Sequence, residues 1–455
     1  MVPGDVADLG RRLRRGEATA EAVLDAHLGR IREADGAVAA VWELTEARAR
    51  EAARRADRTL AEGGGGPLLG IPFLVKDTAD MAGLSTTCGS AAMAGRVAEG
   101  DAAVVRLLCG AGAVPLGKVA TYDLGTVGPS FDLPRPPARN PWDLSRITGG
   151  SSSGSAAAVA AGFAPIAVGS DTAGSIRAPA AYCGCVGLKP TRGLVLAEGV
   201  FSLAPTLLDT VGPLARTAAC AAAFLDAVAG TAALAEVGRG AAGLRVGYAR
   251  GWAEAPEAAP WLLLVLDDAV AALSLAGAEV AEVAPPDYAL LEAVGALLIH
   301  TEGLAIHREA MRSDLPHGRE SYKSLAAGVV LSPQDREAAL ALAPRLAAEV
   351  DRALLGREAL VTATTLTPAL PMQAFREGSV WTPMRTLPFN VTGHPAVSVP
   401  MGFVGGLPLG LQVVARRGED ATALRVAAAF EAATDHALRR PPLPGREAWE
   451  RLGAP

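Results

Sequence analysis

The chain has 455 residues, of which 50% are hydrophobic and 20% are charged. This balance supports a sizeable buried core and excludes an intrinsically disordered protein. The formal net charge of −6 at pH 7 provides no broad positive field, so we expect no nucleic-acid partner. Five cysteines are too few for a disulfide framework in a chain of this length, which favours the reducing cytoplasm.

Neither the N-terminal segment nor the longest uncharged window is typical of a membrane-inserted sequence. Six charged residues between Asp5 and Arg15 interrupt any apolar stretch that could serve as a signal peptide. The window 147–170 contains Pro165, several glycines and a cluster of serines, which a lipid-facing helix would not contain. We therefore expect neither export nor association with a membrane.

The N-terminal half alternates helical and strand-like patterns. Apolar residues at helical spacing among arginines and glutamates predict helices over 5–62. After a run of glycines, the apolar segment 68–75 predicts a buried strand with Lys76 at its end. A helix over 101–108 and a strand over 113–116 follow. This order is typical of a strand–helix–strand unit.

The alternation continues with a helix over 155–161 and a strand over 166–169, which predicts an α/β sheet with helices on both faces. The region from about 260 to 354 differs, because long helical patterns dominate it. One of these helices is predicted to begin with Ser332 as N-cap and Pro333 at the first helical position. We interpret this region as an additional helical layer.

The C-terminal region returns to strand composition. A strand is predicted over 360–365, a hairpin over 396–399 and 409–414, and a closing helix over 422–433. Because strand-like segments occur at both ends of the chain, we predict one domain, 1–455, around a single mixed sheet. We divide it into N-terminal helices (5–62), a core (68–230), the helical layer (about 260–354) and C-terminal sheet segments with a helix (360–440).

The stretch Gly149-Gly150-Ser151-Ser152-Ser153-Gly154-Ser155 is the most unusual feature of the sequence. Its composition is typical of a flexible linker, but it leads directly into a helix start and a buried strand, which favours a structured loop. No lysine follows Gly154, so the stretch does not match a phosphate-binding Walker loop. It does match G-x-S-x-G, with Ser152 at the nucleophile position. The polar approach 140–146 is unlike the strand that precedes such a nucleophile, but histidines downstream keep a Ser–Asp–His order open.

A second segment, Gly169 to Arg177, offers a different nucleophile. Small residues precede Ser175, and their backbone N–H groups can converge on one point, as an oxyanion hole requires. Taken alone, Ser175 is more typical of an ordinary turn or N-cap serine, and Lys76 of a solvated charge at the end of a strand.

Several segments together resemble the signature of a known enzyme family. They are Gly70-Ile71-Pro72 through Lys76-Asp77, Thr86-Thr87-Cys88-Gly89-Ser90, Gly149 to Ser155, Gly169 to Arg177, Cys183 to Thr191, Leu387 to Asn390 and His394 to Pro400. They resemble the amidase signature family over nearly the whole chain. The resemblance implies a single α/β domain with a mixed β-sheet covered by helices on both faces.

In that family, catalysis uses a serine–cis-serine–lysine triad. By motif position, the resemblance implies Ser175 as the nucleophile, Ser151 as the bridging serine after a cis peptide bond, and Lys76 as the base. It also implies an oxyanion hole formed by the backbone amides of Thr172, Ala173, Gly174 and Ser175, and supporting roles for Gly150, Ser152, Asp171 and Arg177. No histidine lies in the motifs that carry Lys76, Ser151 and Ser175, so the proton of the serine must pass to another base. Lys76 can accept it only when neutral, which burial beside an apolar strand favours.

The resemblance implies an amidase that cleaves a small carboxamide, and esters or anilides as further substrates. The glutaminase component of a tRNA-dependent amidotransferase, its A subunit, is the alternative, and a catalytically silent binding protein is a remote one. Pro383 stands near where those amidotransferase components carry an acid for the glutamine amine, which argues against glutamine. The candidate substrate contacts are Tyr122, Asp123 and Phe131, and we expect pocket walls from 122–131 and 288–330.

No cofactor or metal is implied. Cys183 and Cys185 are two residues apart without nearby histidines, so we interpret them as small buried residues and not as metal ligands. The expected partner is a small-molecule amide, and a homodimer is a further option that the sequence leaves open.

Overall fold

The structure, a computed structural model, describes residues 4–378, 380 and 382–444. These residues form thirteen strands and fifteen α-helices. The strands are β1 (Val41–Leu44), β2 (Pro72–Lys76), β3 (Val114–Val119), β4 (Arg139–Asn140), β5 (Asp143–Ile147), β6 (Ile166–Asp171), β7 (Val186–Lys189), β8 (Thr210–Ala215), β9 (Arg245–Tyr248), β10 (Glu279–Glu282), β11 (Ala359–Ala363), β12 (Ala396–Val404) and β13 (Leu407–Ala415).

The helices alternate with the strands along most of the chain. They are α1 (Val6–Arg14), α2 (Ala20–Val38), α3 (Glu46–Ala61), α4 (Ala103–Gly110), α5 (Ser153–Ala160), α6 (Arg177–Cys183), α7 (Ala218–Ala229), α8 (Ala233–Glu236), α9 (Leu262–Leu275), α10 (Tyr288–Met311), α11 (Arg319–Ala326), α12 (Pro333–Ala353), α13 (Met372–Glu377), α14 (Leu387–Thr392) and α15 (Asp420–Ala433).

Eleven of the strands form one mixed sheet in the order β1-β3-β2-β6-β8-β7-β12-β13-β11-β9-β10, while β4 and β5 form a separate hairpin. Strand β2 is parallel to both of its neighbours, β3 and β6, and β9 is parallel to β10 and β11. The other pairs in the large sheet are antiparallel. The predicted α/β fold with a single mixed sheet is confirmed.

The central strands are covered on both faces. Every residue of β2, β8 and β13 is buried, although successive side chains of a strand point to opposite sides of the sheet. Helices α6 and α15 each pack against β12 and β13, while α5 packs against β6. This double covering explains why the strands are continuous apolar runs and not alternating patterns.

The helical layer begins later in the chain than the sequence predicted. Strand β10 joins the edge of the large sheet beside β9, and α9 packs against β12 and α15, so residues 262–282 belong to the sheet region. The layer consists of α10, α11 and α12. Helix α12 begins as predicted, with Ser332 as N-cap in a capping box with Asp335 and with Pro333 in the first turn.

Helix α10 is long and apolar. Among the described residues it is the one helix whose length and composition would allow it to cross a membrane. An 18-residue window of this helix has a mean hydropathy of 1.5, and 33% of the window is buried. It packs against α11, α12 and α14. A core helix of a soluble protein passes the same test, so the apolar character of α10 is weak evidence for a membrane.

Candidate active site

The carboxyl ends of β2 and β6 bring the predicted lysine and serine motifs together. Lys76 is the last residue of β2, while Ser170 and Asp171 end β6. Because β2 and β6 are adjacent and parallel, these ends lie at the same edge of the sheet. This is the edge at which α/β proteins place their ligands.

Lys76 is fully buried and its ammonium nitrogen has two hydroxyl partners. Nζ lies 2.8 Å from Ser151 Oγ and 2.9 Å from Ser170 Oγ. The adjacent carboxylate, Asp77, is bound instead to the buried Lys118, with 3.1 Å between Lys118 Nζ and Asp77 Oδ1. No described carboxylate therefore forms an ion pair with Lys76.

Burial lowers the pKa of Lys76 to about 7, and the negative charges of Asp171 and Asp209 offset this only in part. A charged ammonium loses its hydration when it is buried, so the neutral amine is favoured. Near neutral pH a large fraction of Lys76 is therefore unprotonated, as a base in this position must be.

The Gly149–Ser155 stretch is a structured loop. Its serines at 151, 152, 153 and 155 are buried, and α5 begins inside it at Ser153. The peptide bond between Gly150 and Ser151 is cis, as the family resemblance implied. A Cβ at Gly150 would lie 2.2 Å from the ring of Tyr122, so this position requires glycine. The interpretation as a flexible linker is therefore wrong.

Ser152 faces the backbone of β6. Its hydroxyl donates to the carbonyl oxygen of Ser170 at 3.1 Å, and its amide donates to the carbonyl oxygen of Ser175 at 3.2 Å. The hydrogen bonds described for Ser152 include no histidine, so the structure provides no base for it as a nucleophile. Its placement fits the supporting role.

Ser175 lies just before α6, is partly exposed and lines a cavity next to Gly150. Gly150 lines the same cavity, while Ser151 is buried behind it with its hydroxyl against Lys76. The amide of Ser152 bonds the carbonyl of Ser175, which joins the loop of Ser151 to the loop of Ser175. Lys76, Ser151 and Ser175 thus belong to one region of the fold.

The predicted oxyanion hole needs one correction. The Gly174 N–H donates to Asp171 Oδ1 at 2.8 Å, so this amide is already used inside the loop. The amides of Thr172, Ala173 and Ser175 have no acceptor within the described residues. Three of the four predicted donors are therefore available to a developing oxyanion.

A buried ion pair holds this loop. Arg177 and Asp171 are both 0% exposed, and Arg177 Nη2 lies 2.8 Å from Asp171 Oδ1. Arg177 also donates to the carbonyl of Thr386, to Gln412 and to Asn390, and Asn390 donates to Asp171 Oδ1 at 2.8 Å. Burial alone would raise the pKa of Asp171, but Arg177 and Asn390 lower it to about 2. The satisfied network fixes the loop that carries Ser175.

The cavity at Ser175 has a volume of about 380 Å³, a size that suits a small molecule. One part of the wall is the loop from Tyr122 to Gly128, and another part comes from α10. The lining residues are Tyr122, Thr126, Val127, Gly128, Ile147, Gly149, Gly150, Ala173, Gly174, Ser175, Ala178, Tyr182, Glu292, Ala296, Ile299, His300, Ser324, Val380, Thr382, Met384 and Leu387. The expected walls 122–131 and 288–330 both contribute to it.

Two of the three predicted substrate contacts lie elsewhere. Asp123 is buried, and its Oδ2 accepts hydrogen bonds from the Gly318 amide at 2.9 Å and from the Ser321 hydroxyl, so it anchors the loop to α11. Phe131 lies under the guanidinium of Arg376, whose central carbon is 3.9 Å from the centre of the ring. Of the three, only Tyr122 lines the cavity.

No residue of α10 was singled out from the sequence, although Glu292 and His300 bring polar groups to the cavity. Their signal was weak, because both lie in an apolar helix outside the motifs. Within the described ranges, no three His, Cys, Asp or Glu residues are grouped as a metal site would require. Cys183 and Cys185 are buried and unpaired by disulfides.

A buried lysine, a buried serine and a cavity-lining serine at one edge of a mixed sheet are the arrangement that the resemblance to the amidase signature family implied. The model of the Amidase family matches residues 22–424. The chain belongs to this family, the amidase signature family, as the motifs indicated.

The chain is similar to known proteins over nearly its full length. The A subunit of the glutamyl-tRNA(Gln) amidotransferase of Roseiflexus sp. (strain RS-1) is 35% identical, with 96% of this chain and 98% of the relative covered. The solved peptide amidase of Stenotrophomonas maltophilia is 32% identical with a TM-score of 0.82, covering 96% and 98% of the two chains. A structure described as a vestigial protein complex related to an s-triazine catabolic enzyme is 29% identical with a TM-score of 0.86, covering 94% and 98%.

Proposed function

We propose that the protein is an amidohydrolase that cleaves a small carboxamide through an acyl-enzyme, with Ser175 as nucleophile, Ser151 as proton relay and Lys76 as base. The observation that carries the proposal is the contact of 2.8 Å between Lys76 Nζ and Ser151 Oγ, behind a cavity that Ser175 lines. A neutral lysine in this position can take the proton that a serine must lose to become a nucleophile.

In the acylation step, Ser175 Oγ forms a bond to the amide carbon while its proton passes through Ser151 to Lys76. The oxyanion that develops accepts hydrogen bonds from the amides of Thr172, Ala173 and Ser175. The C–N bond then breaks, and the departing nitrogen takes the proton back from Lys76 through Ser151. Water then attacks the ester carbon, and its proton passes through Ser151 to Lys76. The bond to Ser175 Oγ breaks, and Ser175 takes the proton back by the same route.

The second candidate function is release of ammonia from glutamine as one component of a glutamyl-tRNA(Gln) amidotransferase. The relatives that carry this name favour it, because they are similar over 96% of this chain. The cavity favours a stand-alone amidase, because its described lining contains no lysine or arginine to hold the carboxylate of glutamine. Lys323 is a cation that could bind a carboxylate, but it lies outside that lining, although its neighbour Ser324 belongs to it.

An assay of the purified chain without partners separates the two functions. We expect release of ammonia from simple primary amides, with glutamine a poor substrate. The panel includes primary amides, anilides, hydrazides and glutamine, and Ser175→Ala serves as the blank. Activity that arises only with glutamine and companion proteins would support the amidotransferase instead. No turnover of any of these under either condition would favour a silent binding protein.

The pH dependence provides a prediction about the base. Since burial lowers the pKa of Lys76 to about 7 and only the neutral amine accepts a proton, kcat/KM is expected to rise as pH increases through about 7. Below that pH it should fall by about tenfold per unit, and above it a plateau should follow. Initial rates from about pH 5 to 10 with a neutral amide test this, and a decline between about pH 6 and 8 would contradict a lysine base.

A further inference from the structure

Glu292 is an acidic side chain in the wall of the cavity that contains Ser175. It lies on α10 with Ala296 and His300, which follow at intervals of four residues and therefore share one face of the helix. All three residues line the cavity. One face of α10 thus presents a carboxylate and an imidazole to the space in which a substrate binds.

The carboxylate of Glu292 has one long hydrogen-bond contact among the described residues. Its contact is with the hydroxyl of Tyr288, at 3.3 Å from Glu292 Oε1. That hydroxyl has a single hydrogen, which the shorter bond of 2.6 Å to the carbonyl oxygen of Met384 uses. Glu292 is left with acceptor capacity directed at the cavity.

The described lining of the cavity also contains no lysine or arginine that could neutralise Glu292. The nearest cation described around Tyr288 is Arg385, whose guanidinium carbon lies 4.2 Å from the centre of the Tyr288 ring. Its nitrogens donate to the carbonyls of Trp252 and Met384 and to Glu257. Arg385 is therefore engaged outside the cavity.

His300 adds a second polar side chain. Its Nδ1 lies 2.8 Å from the carbonyl oxygen of Ser324, so Nδ1 donates to that oxygen and Nε2 is left without a partner in the described hydrogen bonds. The neighbouring walls at Val127, Ile147 and Ile299 are apolar. The lining of the cavity therefore combines the carboxylate of Glu292 and the imidazole of His300 with apolar side chains.

We propose that Glu292 binds an ammonium group in the acyl part of the substrate, so that the preferred substrates are primary amides with an amine and without a carboxylate. This inference rests on the proposed function and specifies its substrate class. An ammonium supplies the hydrogens and the positive charge that Glu292 lacks. A carboxylate in the same cavity would be desolvated without a cation and beside another negative charge.

Matched amides test the inference. The series runs from glycinamide to 6-aminohexanamide, and each member is compared with the neutral amide in which methyl replaces ammonium. At the best length, kcat/KM of the wild type is expected to favour the ammonium substrate by about tenfold to a hundredfold. In Glu292→Gln the ratio between the two members of each pair should fall to about one, and this ratio is read whether or not the rates of the neutral amides change. The control Glu309→Gln removes an exposed acid of the same helix, which is paired with Arg312, and should change nothing.

Binding is measured separately by calorimetry of Ser175→Ala and of Ser175→Ala/Glu292→Gln with the same pairs of amides. Tighter binding of ammonium amides that depends on Glu292 supports the inference, even if turnover fails and the proposed function with it. Turnover of neutral and ammonium amides at equal rates, or a preference that persists in Glu292→Gln, would overturn the inference and leave the amidase function standing.

Discussion

The Ser175→Ala variant is expected to fold normally and to lose amidase activity by at least about 10⁴-fold, because the proposed acyl-enzyme forms on the hydroxyl that this substitution removes. Ser175 is partly exposed and its carbonyl oxygen, not its side chain, bonds the Ser152 amide. Removal of the hydroxyl therefore leaves the loop contacts intact. The measurement is the rate of ammonia release, together with thermal unfolding to verify the fold.

Ser152→Ala is the matched control. Its hydroxyl bonds the carbonyl of Ser170, so its loss is expected to cost about 1 kcal/mol of stability and to leave measurable turnover. A fluorophosphonate should label the wild type on the peptide that contains Ser175, as mass spectrometry can show. Label on Ser152, or full activity of Ser175→Ala, would restore the nucleophile-elbow hypothesis.

The parts of the sheet that the sequence predicted are those with a strong local signal. The apolar run before Lys76 became β2, and two apolar runs around adjacent glycines became the hairpin of β12 and β13. Strands β1 and β9 were not predicted. Each has four residues, and β9 pairs with β11, which lies more than a hundred residues later in the chain. Short strands held by distant partners leave little trace in local periodicity.

The same distinction applies to the site. Roles could be predicted for Lys76 and Ser175, because each lies within one local motif. Lys76 is at the end of β2, and Ser175 is in the loop before α6. Asp123 and Phe131 were misplaced, since the direction of a loop side chain depends on what packs over it, here α11 and Arg376. Glu292 was missed because its position at the cavity depends on how α10 docks.

The hydrogen bond that the Gly174 amide donates to Asp171 could have been predicted from the sequence. An aspartate three residues before an amide, as Asp171 is before Gly174, often accepts a hydrogen bond from it in turns. In the structure Asp171 accepts from both Gly174 and Ile176. The aspartate therefore shapes the loop and leaves three of the four amides predicted for the oxyanion hole without an acceptor among the described residues.

Replacement of Lys76 is expected to reduce kcat/KM by about 10²–10⁴-fold or more, because the proton relay from Ser151 then has no base. Lys76→Met keeps the apolar volume without the amine, so it should fold, since a buried amine without a carboxylate partner contributes no ion pair. Lys76→Arg should not restore activity, because a guanidinium stays protonated and cannot accept the proton.

Lys189 is the control that this prediction needs. It is also fully buried, and burial together with the charge of Arg177 lowers its pKa to about 7. Either lysine could therefore produce a rise of activity near neutral pH. Lys189 Nζ bonds the carbonyl of Pro190 at 2.8 Å and lies outside the described cavity lining, so Lys189→Met should retain turnover with the same pH step. In Lys76→Met the residual activity should lose that step. A step that persists in Lys76→Met and disappears in Lys189→Met would transfer the titration to Lys189 and remove Lys76 from the role of base.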